Sequence, residues 1–99
     1  MPFPKLHQGR LSAIATTALQ LTATSRRLRS GLWITADDGN ANPLYAGEGN
    51  AITADGADTT SGQKINPSDT AFFAIDDPAK MYVIGPSGTT GHKVFWHGS

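Results

Sequence analysis

The sequence predicts an all-β fold, a small β-sandwich with jelly-roll-like character and an extended N-terminal arm, and three observations predict it. Apolar and threonine residues alternate with period two through much of the chain, which suits a half-buried strand better than a helix. Turn-forming Gly, Pro, Asn and Asp recur about every eight to twelve residues. Nothing suggests a strand-helix-strand unit or a repeat of fixed period. Residues 1–10 read as the arm and residues 11–99 as one domain.

The arm is assigned because Pro2 and Pro4 interrupt any ladder and no regular apolar pattern follows before Leu11. Such segments are laid along a neighbour or left loose. From Leu11 the alternation begins, with Leu11, Ala13 and Ala15 on one parity and Leu19, Leu21 and Ala23 on another after a slip. Two strands follow from that pattern, and a helix over Leu11 to Ala23 is the competitor because Ala, Leu and Gln tolerate one. Arg27 to Ala36 alternates more cleanly. Leu28, Ser30, Leu32, Ile34 and Ala36 share one side, while Arg27, Arg29, Trp33 and Thr35 share the other. Asp37 to Pro43 is dense turn chemistry, and Leu44-Tyr45-Ala46 resumes a strand, so the two strands are expected to form a hairpin with a long loop.

Ala51-Ile52-Thr53 is a further short candidate strand, and Ala54 to Gly62 is too poor in large apolar residues to pack. Gln63-Lys64-Ile65 leads through the Asn66-Pro67-Ser68-Asp69 turn into a strand over Thr70 to Ile75. Asp77 and Pro78 then offer a cap and a first helical position for one turn. Met81 to Ile84 and Lys93 to Trp96 are expected to pair across the glycine-rich stretch Gly85 to Lys93. That stretch superficially suggests a phosphate loop, but the spacing puts Thr90 where glycine belongs and Gly91 where lysine belongs. Too little chain remains for the helix and parallel strands that a nucleotide site needs.

Composition narrows the function further. The chain of 99 residues has no cysteine, so neither disulfides nor thiolate zinc sites can stabilise so short a domain, and self-association is the common remedy. No apolar run approaches a membrane span of about eighteen residues, and the start lacks the apolar core of a signal peptide. An intracellular product with no membrane association is expected. The formal charge is zero, yet five cations and no acid lie in residues 1–30, and three lysines face eight acids thereafter. Two surfaces with different partners are implied, unless folding intermixes the charges.

Reacting groups do not assemble into a site. His92 and His97 are five apart and face opposite sides of a regular strand, and His7 is remote from both, so no metal or catalytic pair is expected. Asp37, Asp38 and Asn40, and separately Asp55 and Asp58, could offer oxygens to calcium, but turn chemistry accounts for them. Asp76 and Asp77 suit a cap better than an acid-base pair. No short motif ties a serine to a base. The expectation is no enzyme and no cofactor. Trp33, Tyr45 and Trp96 could serve as a sugar-stacking platform or a subunit interface. Arg26, Arg27 and Arg29 suit an acidic protein surface better than nucleic acid, because a domain of zero net charge lacks the basic footprint.

The strand Leu32-Trp33-Ile34-Thr35-Ala36-Asp37, the Gly39 to Pro43 loop, Leu44-Tyr45-Ala46-Gly47, the Ile65-Asn66-Pro67 turn and the run Ile75 to Gly85 together resemble small virion proteins of tailed phages. The likeness spans roughly Ser30 to Trp96, and Ser68 stands where glycine is commoner in such chains. The resemblance implies a structural role in the virion after synthesis in the host cytoplasm, as a head decoration or cement protein. It further implies the major capsid protein as partner and a homotrimer. Lys5, Arg10, Arg26, Arg27, Arg29, Trp33 and Tyr45 are the expected contact residues. A neck, tail or minor capsid component and a carbohydrate-binding module are the alternatives.

Overall fold

The computed structural model describes residues 6–54 and 61–99. Eight strands run in the order β1 (His7–Ile14), β2 (Leu19–Gln20), β3 (Leu32–Ala36), β4 (Leu44–Glu48), β5 (Gln63–Ile65), β6 (Thr70–Phe73), β7 (Met81–Ile84) and β8 (His92–Gly98), with one 3-10 turn at Pro78–Lys80. They form two antiparallel four-stranded sheets, ordered β1-β8-β3-β6 and β2-β7-β4-β5. This is the strand order of a jelly roll, in which consecutive strands mostly change sheets and the first and last strands lie side by side. The sandwich expected from the alternation is therefore present. Strands account for the Leu11 to Ala23 region too, so the helical competitor is not what forms there.

The alternation is cashed in as packing. Leu32, Ile34 and Ala36 of β3 point inward against Leu44 and Ala46 of β4, and Val83, Val94 and Ile65 complete the same core. Each Leu, Ile or Val side chain among these, removed from water, contributes roughly 1.5–3 kcal/mol, and the alanines less. Because both strands need cover for their apolar faces, β3 and β4 sit across the core from each other. The hairpin expected for them does not form, and the Asp37 to Pro43 loop instead crosses the gap of about 10 Å between sheets. The same holds for β7 and β8. They belong to different sheets, so the glycine-rich stretch is an inter-sheet connection in which Thr89 N–H donates to Pro86 C=O at 3.1 Å.

Three boundaries also differ from expectation. β3 begins at Leu32, not Arg27, because Gly31 adopts φ +103° and turns the chain. Leu28 nonetheless remains buried, held by its N–H to Asp76 C=O at 2.7 Å. Ala51 to Thr53 contributes only a lone bridge from Thr53 to Ser61. Residues 7–10, expected to belong to the arm, are part of the first sheet, pairing with β8 from His7 opposite Gly98 to Arg10 opposite Phe95, while residues 1–5 lie outside the described residues. The period that identifies this strand, with Gly9 and Leu11 turned inward, is hidden in the sequence by the missing side chain of Gly9.

Two local expectations are met in detail. Asp77 caps the 3-10 turn by accepting from Ala79 N–H at 2.9 Å, with Pro78 at its start. The turn before β6 places Ser68 at φ 73°, which explains why glycine is at home at that step.

Candidate functional site

Cross-strand register builds the candidate surface. On the outer face of the first sheet, Gln8, His97, Trp33 and Phe72 lie opposite one another in a row spanning β1, β8, β3 and β6. Arg10, Phe95, Thr35 and Thr70 form the next row. The Thr35 and Thr70 hydroxyls lie 2.7 Å apart in a hydrogen bond. The Trp33 indole stacks on the His97 imidazole, with ring centres 5.4 Å apart and planes within 4°, and meets the Phe72 ring at 4.7 Å and 55°. Both flanks of the indole are therefore occupied by its cross-strand neighbours.

Among the described residues, the exposed large apolar side chains are Leu6, Phe72 and Phe95, at 57%, 51% and 43%. Phe72 and Phe95 belong to these two rows, and Leu6 precedes β1 with the parity of Gln8 and Arg10. These side chains make this the face on which the described residues expose their large apolar groups, the kind of patch that in general accompanies an interaction surface. The opposite sheet presents a different face, with Tyr45 beside Lys64 and Ile84.

The expected contact residues are thereby divided. Arg10 and Trp33 share the aromatic face, whereas Tyr45 lies on the far sheet. Trp96 points inward at 7% exposure under Gly9, so the aromatic trio does not form one platform. Arg26, Arg27 and Arg29 are exposed on the segment between β2 and β3, and Lys5 lies outside the described residues. Asp76 and Asp77 come to the same end, so folding partly intermixes the charges. The Asp77 carboxylate accepts from Arg26 N–H at 3.2 Å and from the Ser25 hydroxyl. The Ser25 hydrogen bond is the main reason that this carboxyl titrates below its ordinary range. Asp76 pairs with Lys80 at 2.9 Å, but both side chains are well exposed, so the pair adds little to stability.

The remaining polar candidates have structural work. His92 is buried; its Nδ1 lies 2.8 Å from Thr90 C=O, and its Nε2 accepts from Asn42 N–H at 3.0 Å. His97 stands on the exposed face, as the five-residue spacing requires. His7 is half-buried at the end of β1. Asn40 brackets Lys93, donating to its C=O at 2.9 Å and accepting from its N–H at 3.1 Å, while Asp37 accepts from Gly39 N–H at 3.0 Å. Asp55 and Asp58 lie outside the described residues. Among the described residues no three His, Cys, Asp or Glu side chains gather as a metal site, and no helix is long and apolar enough to cross a membrane.

Phe72 and Phe95 are not among the contact residues expected from the sequence, and His97 is weighed there only as a metal or catalytic group. Parity puts Phe95 with His97 on the face opposite Val94 and Trp96, but only the pairing of β3 with β6 and β8 sets Phe72 and His97 against Trp33 and Phe95 in the adjoining row. No protein-family model, curated protein or solved structure matches this chain.

Proposed function

We propose that this chain is a structural protein of a phage virion, a decoration or cement protein that attaches to the capsid through protein contacts and performs no chemistry of its own. The observation that carries this reading is the aromatic outer face of the first sheet, where Trp33 is braced between His97 and the exposed Phe72, and the exposed Phe95 stands in the adjoining row opposite Thr35. Such a face is built for a macromolecular surface, with aromatic area held rigid by its neighbours. The turn and strand pattern shared with small phage virion proteins supports the virion as the setting. The jelly roll, a fold recurrent in viral shells, adds support by analogy alone. The exposed Arg26, Arg27 and Arg29 suit an acidic patch on the major capsid protein.

The carbohydrate reading fares less well on the same observation. A sugar stacks on a free aromatic face, and one approaching Trp33 would have to displace Phe72 or His97, while Tyr45 lies on the opposite sheet. Quantitative mass spectrometry of purified particles of the encoding phage tests the proposal. A copy number that scales with the shell lattice is expected. A number matching a single ring moves the chain to the neck or tail, and its absence from particles refutes a virion role.

A further inference from the structure

The sandwich is open between β1, at the edge of the first sheet, and the chain that follows β2, at the edge of the second. A groove of about 450 Å³ lies there, walled by His7, Gly9 and Arg10 on one side and by Leu21 and Arg26 on the other, with Trp96 as its floor. No acid lines it. Lys80 and Asp76 form the one ion pair among the described residues, so neither arginine has a carboxylate partner. Trp96 is 7% exposed, and its indole N–H has no protein acceptor among the described residues, yet it is not sealed, since Thr89 Oγ1 is the one enclosed side-chain atom without a partner.

The wall contributed by β1 is also an unused ladder. β1 pairs with β8 alone, which leaves alternate backbone N–H and C=O groups from His7 to Leu11 pointing away from the sheet. Pairing is regular over that stretch and slips only between Leu11 and Ile14, where Ala13 adopts φ 61°. The irregularity interrupts the far end of the edge and leaves His7 to Leu11 able to take a partner strand. We infer that an acidic, extended segment of a partner protein adds to β1 as a further strand of the first sheet, with carboxylates meeting Arg10 and Arg26.

Charge and backbone together select that occupant. An added strand completes the ladder, and its alternate side chains lie outward beside Arg10 or inward over Leu21 and the groove, where the Trp96 N–H is left for an oxygen. A second copy fits poorly, because none of the chain's own edge strands, β1, β2, β5 and β6, carries an acid. Pairing β1 with its own copy only adds a second Arg10. Residues 1–5 are no better as a donor strand, with Lys5, no acid and prolines at positions 2 and 4. Nucleic acid would engage the cations but has no strand backbone to offer the ladder. The inference goes beyond the virion reading, whose carrying feature is the aromatic face, and Phe72 and Phe95 take no part in the groove.

Fluorescence anisotropy of a labelled decapeptide of alternating Glu and Val, titrated with the purified full chain, tests the inference. Binding with a dissociation constant of about 1–100 µM is expected. It weakens as salt is raised, and hydrogen exchange at the amides of His7 to Leu11 slows as the peptide binds. The same peptide with Lys in place of Glu binds at least about tenfold more weakly. Methylating alternate backbone nitrogens of the Glu peptide, which removes donors but no charge, also weakens binding. Arg10→Glu and Arg26→Glu each weaken it, the double variant prefers the Lys peptide, and Lys64→Glu on β5 changes nothing. All three positions are exposed, so the thermal melt is unchanged, and the reversed preference reads the groove independently of stability. No binding of the Glu peptide, an indifferent Arg10→Glu or Arg26→Glu, a methylated peptide that binds as well, or a single-stranded oligonucleotide that binds more tightly overturns the inference. So does protection of the β1 amides in the concentrated chain alone, which gives the edge to a second copy. Each outcome leaves the particle measurement free to decide the virion role.

Discussion

Replacing Gly9 with alanine tests whether the chain before Leu11 belongs to the folded domain. A Cβ at this position would stand 2.8 Å from Nε1, 2.9 Å from Cε2 and 3.0 Å from Cζ2 of Trp96. Ordinary contact begins near 3.4 Å, so the indole must retreat by roughly half an ångström. Trp96 is almost fully enclosed beside Ile34 and Val94, and it cannot withdraw without disturbing them. Overpacking of this kind costs about 1–3 kcal/mol. The lower unfolded-state entropy of alanine returns roughly 0.5–1 kcal/mol, leaving a net loss centred on about 1 kcal/mol. With a urea slope of about 1.5 kcal/mol per molar, the unfolding midpoint falls by about 0.7 M. Equilibrium urea unfolding followed by tryptophan fluorescence and far-ultraviolet circular dichroism reads the shift, with exposed Gln8→Ala as the neutral comparison. A Gly9→Ala midpoint equal to or above wild type would refute the packing of β1 onto Trp96 and return residues 7–10 to the arm.

Removal of the Asp77 carboxylate by Asp77→Ala breaks three contacts, to Ala79 N–H, Arg26 N–H and the Ser25 hydroxyl. A loss of about 2 kcal/mol is expected, together with faster proteolysis between β2 and β3. The Asp77 carboxyl titrates below its ordinary value of 3.8, first because of the Ser25 hydrogen bond. Its stabilisation is therefore complete above 3.8 and disappears as the pH falls through the lowered folded value. Urea midpoints of wild type and Asp77→Asn should differ at neutral pH and converge in strong acid, and a constant gap would contradict the assignment. Ser68→Gly relieves a left-handed residue at φ 73° and should raise stability by about 0.5–1 kcal/mol. A lower melting temperature for that variant would argue against the turn.

The legible part of this protein was what depends on near neighbours in the chain. The strand around Leu32, Ile34 and Ala36, the turn at Asn66 to Asp69 and the Asp77-Pro78 start of the 3-10 turn all follow from side-chain parity and backbone preference. The opposite orientation of His92 and His97 follows equally. The errors share a cause. The sequence predicts hairpins for the β3 to β4 and β7 to β8 connections because adjacent strands joined by turn residues usually pair. Whether such strands pair or pack across a core depends on which partners cover their apolar faces, and those partners are far away in sequence. Gly31 was invisible as a strand boundary because its role lies in a positive φ, not in a side chain.

The candidate face shows the same division. Trp33 and Arg10 stood out by residue type, while Phe72, Phe95 and His97 became part of the site only when β6 and β8 aligned on either side of β3. Alternation and turn chemistry, read along the chain, determined that this protein is a small sandwich of antiparallel strands with apolar residues alternately inside. Only the tertiary structure decided the jelly-roll order, the burial of Trp96 beneath Gly9 and the assembly of one aromatic face. The physical reason is that period and turn preference are local energies, whereas strand partnership is chosen by covering apolar area between segments dozens of residues apart.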